Sequence, residues 1–132
     1  MDNLTGAVAF FDIGNTLASV ATSPSGDRID RLAVYPYVPG VLVELHERGA
    51  RLGIISNRGA IPAEDVNQAL QLAGLWDFFE PELVVYGAKD SPLIFEQAAA
   101  QADTPVGMLF VGEDAAERTQ AMQAGFHGGA AS

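Results

Sequence analysis

Apolar and polar residues fall in blocks along this chain, and the blocks repeat. Residues 7–11 are all apolar and run straight into Asp12, with Gly14, Asn15 and Thr16 just behind it. An unbroken apolar run bounded by turn formers predicts a strand buried on both faces, as in a parallel sheet. The pattern recurs at 51–55 before Ser56 and Asn57, at 83–86 before Lys89, and at 108–111 before Glu113 and Asp114. Helical spacing fills the gaps. Leu42 and Leu45, flanked by Val41 and Val43, predict a helix that starts after Pro39-Gly40 and stops at Gly49. Pro62, Glu64 and Asp65 open a second, with Val66, Ala69, Leu70 and Ala73 facing inward. Ser91 and Pro92 read as N-cap and first position of a third, which carries Ile94, Phe95, Ala98 and Ala102. A last helix leads to Gly125.

Strands alternating with helices at this spacing predict a doubly wound parallel sheet in a three-layer α/β/α arrangement. Two short arms around Ser23-Pro24-Ser25-Gly26-Asp27 add a small β-hairpin within 17–35, placed beside Asp12. Trp76, Phe78 and Phe79 are expected to pack against the core. No repeat, low-complexity linker or internal boundary divides residues 1–132, so one domain is expected.

Composition narrows the function classes. An apolar content of 48% argues against disorder. The chain has no cysteine, which excludes thiolate metal sites and thiol nucleophiles and agrees with a cytoplasmic protein. Nothing resembles a secretory signal, and no apolar stretch approaches the roughly 18 residues of a membrane helix, so no membrane association is expected. Seven basic against seventeen acidic residues give a net charge of −10. That field disfavours nucleic acid. It also repels a phosphorylated substrate unless a bound divalent cation reverses the sign locally.

The chemistry gathers where strands end. Open α/β sheets bind ligands at the carboxyl ends of their strands. There this chain delivers Asp12, Ser56 with Asn57, Lys89, and Glu113 with Asp114. A carboxylate can attack phosphorus covalently if the phosphoryl group is held and its charge spread. A hydroxyl, backbone N–H groups and a lysine supply that grip. A second acidic cluster beside Asp12 suits Mg²⁺, a hard cation that takes oxygen ligands and shares substrate phosphates. His46 and His127 lack a partner at ligand spacing and read as a surface residue and an incidental tail residue.

In this order the elements resemble the haloacid dehalogenase (HAD) superfamily, in its phosphatase-like branch. Residues 10–17 are similar to its first motif, 52–57 to its second, 89–95 to its third, and 109–114 with Glu117 to its acidic fourth. The resemblance covers most of the chain. It implies Asp12 as nucleophile, with Ser56 and Lys89 as the other catalytic residues. It implies phosphate contacts from Gly14, Asn15, Thr16, Ser56, Asn57 and Lys89. For Mg²⁺ it implies Asp12, the Gly14 carbonyl, and Glu113 or Asp114. The expected activity is phosphate monoester hydrolysis through an aspartyl-phosphate.

Three departures bear on function. Gly14 stands where the family's phosphatases usually carry a second aspartate as general acid/base, a group worth about 10²–10⁴ in rate. Glu113 replaces the usual aspartate, and Asp114 with Glu117 also has the spacing of a capping box, the favoured account of Glu117. Finally, there is no room for a cap domain, and the short end after Gly125 leaves little room for a fifth strand. A capless site is open to a phosphorylated small molecule or a bulky phospho-substrate. An exposed sheet edge invites a second copy or a partner protein. The alternative function is a catalytically impaired domain that serves as a binding or interaction module. Dehalogenase or phosphonatase chemistry is disfavoured, because the chain lacks the cap and pocket that go with it.

Overall fold

The computed structural model describes residues 3–104 and 107–129. In chain order the elements are β1 (Val8–Phe11), β2 (Ala18–Thr22), β3 (Ile29–Val34), α1 (Val38–Glu47), β4 (Arg51–Ser56), α2 (Ala63–Leu72), β5 (Val84–Tyr86), α3 (Leu93–Ala102), β6 (Met108–Val111), α4 (Ala115–Gln123) and β7 (His127–Gly129). Two short 3₁₀ turns, Trp76–Phe78 and Pro81–Leu83, precede β5. The main sheet runs β5-β4-β1-β6-β7, with every neighbouring pair parallel. β2 and β3 form a separate antiparallel hairpin.

The order puts β1 at the centre, and its period-2 alternation builds both halves of the core. Ala9 and Phe11 face one apolar layer with Leu52, Ile54, Leu42 of α1, and Val66 and Leu70 of α2. Val8 and Phe10 face the other, with Ile55, Ile94 and Phe95 of α3, and Ala121 of α4. This is the three-layer α/β/α arrangement expected. Phe79 is buried in the first layer, and Trp76 and Phe78 pack partly buried against it. Among the described residues no helix is long and apolar enough to cross a membrane.

One expectation is corrected. The sheet does carry a fifth strand: β7 pairs with β6 in the register Leu109↔His127, Phe110↔Gly128, Val111↔Gly129. Residues 130–132 of the same tail lie outside the described residues. His127, Gly128 and Gly129 have almost no strand signature, so apolar patterning misses them. Phe126 makes the strand possible. It is buried with its ring 5.7 Å from Phe10 and 5.8 Å from Phe95, which anchors the chain where β7 begins. His127 is thus an exposed strand residue rather than part of a loose tail. Among the described residues the edges of the sheet are β5 and β7, each three residues long.

Two helix starts also differ. α1 begins at Val38, so Pro39 and Gly40 lie inside its first turn, where a missing N–H goes unnoticed. α3 begins at Leu93 after Pro92, while Ser91 Oγ accepts from Leu93 N at 3.4 Å.

The hairpin forms where predicted. Its turn is closed by Ser23 and Ser25, whose hydroxyls donate to Asp27 Oδ1 at 2.9 and 2.6 Å and hold that carboxyl below its usual range. Val20, Ile29, Leu32 and Val34 lean on the first core layer, so the hairpin is docked on the core.

Candidate active site

Asp12 follows the last residue of the central strand, and its N–H continues the ladder to Val111 O at 3.0 Å. The chain then turns sharply. Ile13 O accepts from Thr16 N, Leu17 N and Ala18 N, and Asn15 takes a left-handed conformation (φ 60°) that asparagine tolerates. The turn aims Asp12 at three donors. Its Oδ1 accepts from Ile13 N at 2.7 Å and Ser56 Oγ at 3.1 Å, and lies 2.9 Å from Lys89 Nζ. No hydrogen bond to Oδ2 is found among the described residues. One oxygen is fixed and the other is open.

Ser56 arrives as the last residue of β4, adjacent to β1 in the sheet. Lys89 arrives from the loop after β5. Its side chain is 2% exposed, a burial that requires partners for an ammonium. It has them: Asp12 Oδ1 and Glu117 Oε1 at 2.9 Å each, Ile55 O at 3.5 Å, and the Phe110 ring with its centroid 5.6 Å away. The Glu117 contact is an ion pair without an aligned hydrogen bond.

Glu117 corrects the sequence reading. Only half of the capping box forms: Asp114 Oδ1 accepts from Glu117 N at 3.0 Å, but the Glu117 carboxylate turns to Lys89 instead of the cap. An N3 glutamate can point either way. Only the position of Lys89, brought from another loop, decides it. Arg118 was also missed. Its NH1 donates to Gly112 O and Glu113 O at 2.7 and 2.6 Å and clamps the acidic loop. Gly112 has no room for a side chain: a Cβ would meet the Phe110 ring at 2.8 Å and Asp12 Cβ at 3.7 Å. That closeness brings the acidic loop against Asp12.

The other expected site residues are spread out. Asn57 is exposed, and its Oδ1 accepts from Gly59 N at 2.9 Å, which shapes the loop after β4. Asn15 is exposed at the turn. Thr16 is buried with its hydroxyl unpaired and faces a different cavity, about 270 Å³, under α1. Gly14, Ser56 and Asn57 share a cavity of about 280 Å³ with the hairpin, Arg58 and Tyr86. Tyr86 donates its hydroxyl to Asn67 Oδ1 at 2.6 Å, and burial pushes its pKa up to about 12 against the opposing charge of Arg58.

The donors present suit Mg²⁺ in kind. Among the described residues no three acidic or histidine side chains converge. Mg²⁺ does not need them, because it usually keeps several waters and takes one or two carboxylates plus substrate phosphate. Asp12 Oδ2 and the exposed Glu113 carboxylate have no hydrogen bond among the described residues, whereas Asp114 is engaged as the helix cap. Glu113 is the better donor of the two.

No family model matches the chain, nor does any curated protein sequence. Solved structures do. An uncharacterized protein from Listeria monocytogenes serotype 4b superposes with a TM-score of 0.79 at 16% identity, over 92% of this chain and 76% of that one. A HAD-superfamily hydrolase from Ehrlichia chaffeensis gives 0.71 at 15%, over 98% and 86%. The D,D-heptose 1,7-bisphosphate phosphatase from B. bronchiseptica, complexed with magnesium and phosphate, gives 0.64 at 18%, over 92% and 78%. Such distant likenesses speak to architecture alone: this chain shares the α/β/α fold of the HAD-superfamily hydrolase, with no cap inserted among the described residues.

Proposed function

We propose that this chain is a Mg²⁺-dependent phosphohydrolase that works through an aspartyl-phosphate on Asp12. The observation that carries the reading is the asymmetric aspartate, with Oδ1 held by Ser56 and Lys89 and Oδ2 open. The magnesium and phosphate bound to the heptose bisphosphate phosphatase neighbour support the choice of cofactor and substrate class.

Asp12 attacks phosphorus, and the bond to the leaving oxygen breaks as the new P–O bond forms. Ser56 and Lys89 then turn from Asp12 toward the phosphoryl oxygens, where their donors offset the charge that develops. Asp12, the Gly14 carbonyl and Glu113 are the residues that would hold Mg²⁺, which when bound neutralises phosphoryl charge. Gly14 has no group to protonate the leaving alkoxide, so solvent supplies that proton. Water next attacks the aspartyl-phosphate and releases inorganic phosphate, so the sum is ester plus water to alcohol plus phosphate. Slow turnover follows from the missing acid/base, which is worth about 10²–10⁴.

The test is hydrolysis of an aryl phosphate and a phosphometabolite panel with Mg²⁺, beside Asp12→Asn and a chelator control. Turnover lost in both controls supports the reading. Equal residual activity in wild type and variant overturns it. Gly14 favours a second reading, a phosphoryl-binding module without turnover, which an inert wild type that still binds phosphate would support.

A further inference from the structure

The cavity beside Ser56 has a composition that the hydrolysis reading does not use. One wall is the hairpin, through Val20 and Ile29, and another is Ile61, with Tyr86 opposite. At about 280 Å³ it is just below the roughly 300–1,000 Å³ range of small-molecule sites, which suits a small leaving group. Arg58 shares the lining, two residues after Ser56.

Arg58 is unusual among the seven basic residues of this acidic chain. Lys89, Arg51, Arg48 and Arg28 each have a carboxylate within 4.0 Å. Arg118 is committed to backbone carbonyls. Arg58 and Arg31 have no carboxylate partner among the described residues, and Arg31 does not line this cavity. Arg58 NH1 donates to Ile61 O at 2.8 Å, which anchors the side chain and leaves the rest of its fork unused. A guanidinium presents paired donors that match a carboxylate or phosphate. In a chain of net charge −10 an arginine without a carboxylate partner among the described residues adds positive charge beside the phosphate site.

We propose that this cavity takes the leaving group of the substrate, and that Arg58 selects a second oxyanion on it. The proposal rests on the phosphohydrolase reading and names its substrate class: a small phosphate monoester that also bears a carboxylate or another phosphate. Ser56 and Arg58 line the same cavity of about 280 Å³, and that size sets the linker between the two oxyanions. Val20, Ile29 and Ile61 in the lining suit an apolar linker between the two oxyanions.

Three probes separate the possibilities: glycerol 3-phosphate, 3-phosphoglycerate and glycerol 1,3-bisphosphate. Wild type, Arg58→Met and Arg31→Met are compared by kcat/KM. Binding is measured by calorimetry in the Asp12→Asn background, with and without Arg58→Met. At least one acidic ester is expected to exceed glycerol 3-phosphate by about tenfold in both readouts, the scale of one charged hydrogen bond. Which ester does so tells carboxylate from phosphate. The preference collapses in Arg58→Met and persists in Arg31→Met. A wild type without preference, or a preference that survives Arg58→Met, overturns the proposal. If no ester is hydrolysed but binding shows an Arg58-dependent preference, the hydrolase reading fails and the subsite stands. Hydrolysis without preference gives the reverse.

Discussion

At the residue scale, Lys89 sets the charge balance of the site. It is the buried cation shared by Asp12 and Glu117, and removing one partner of a buried ion pair costs more than the pair contributes. Lys89→Met should abolish turnover and destabilise the fold by about 3 kcal/mol, read from the urea midpoint. Adding Glu117→Gln to that variant should recover part of the loss, since one unpaired carboxylate is gone. Gly14 poses the opposite problem, a position with space but no side chain. A Cβ there meets nothing within 4 Å and the backbone needs no left-handed φ, so Gly14→Asp fits without strain. If acid/base catalysis limits the reaction, kcat should rise at least about tenfold. A variant that folds and binds Mg²⁺ yet stays at the wild-type rate shows that something else is limiting. Asp12, Ser56 and Lys89 were legible because each follows a strand whose apolar run is unmistakable. Arg58 was not singled out, because an exposed arginine in a loop looks the same with or without a cavity beside it.

At the element scale, the entry to α4 performs two tasks with adjacent acids. Asp114 caps the helix, and Glu113 points its carboxylate to no protein partner among the described residues. Asp114→Ser keeps a capping oxygen while removing the charge, so the Mg²⁺ concentration for half-maximal activity should stay near that of wild type. Asp114→Ala should lower stability by about 1 kcal/mol. Glu113→Gln should raise the Mg²⁺ requirement at unchanged stability. The reverse pattern would move the metal to Asp114. The spacing of Asp114 and Glu117 allowed a complete capping box, and the structure built half of one. Local sequence specifies which bonds are within reach, whereas the ammonium that competes for Glu117 comes from a loop 28 residues earlier in the chain.

Across the whole molecule, Arg51 links parts that are distant in sequence. Its Nε and NH2 donate to Glu80 at 3.0 and 3.2 Å, and NH1 donates to Ala102 O at 2.8 Å. The first residue of β4 thereby ties the turn before β5 to the end of α3. The hydrogen bonds from Arg51 hold the Glu80 carboxyl below its ordinary value of 4.5. A carboxyl depressed in the folded state stabilises the protein fully above its unfolded pKa and loses that stabilisation as pH falls through the lower, folded value. Glu80→Gln should therefore flatten the acid limb of thermal stability below about pH 4.5, as seen in Tm measured from pH 6 to pH 2.5. An acid limb that is the same in both proteins would show that the link contributes nothing.

The sequence by itself determined the alternation of strands and helices, the strand ends as the place for chemistry, and the residue types delivered there, because burial period and turn formers are local properties. Tertiary structure decided the rest. It formed β7 from three residues with no strand signature, since Phe126 is held between aromatic rings of β1 and α3. It turned Glu117 from cap to ion-pair partner, and it formed a cavity between hairpin and loop in which Arg58 has no carboxylate partner among the described residues. Each of these depends on groups brought together from separate parts of the chain, which no spacing along the chain records.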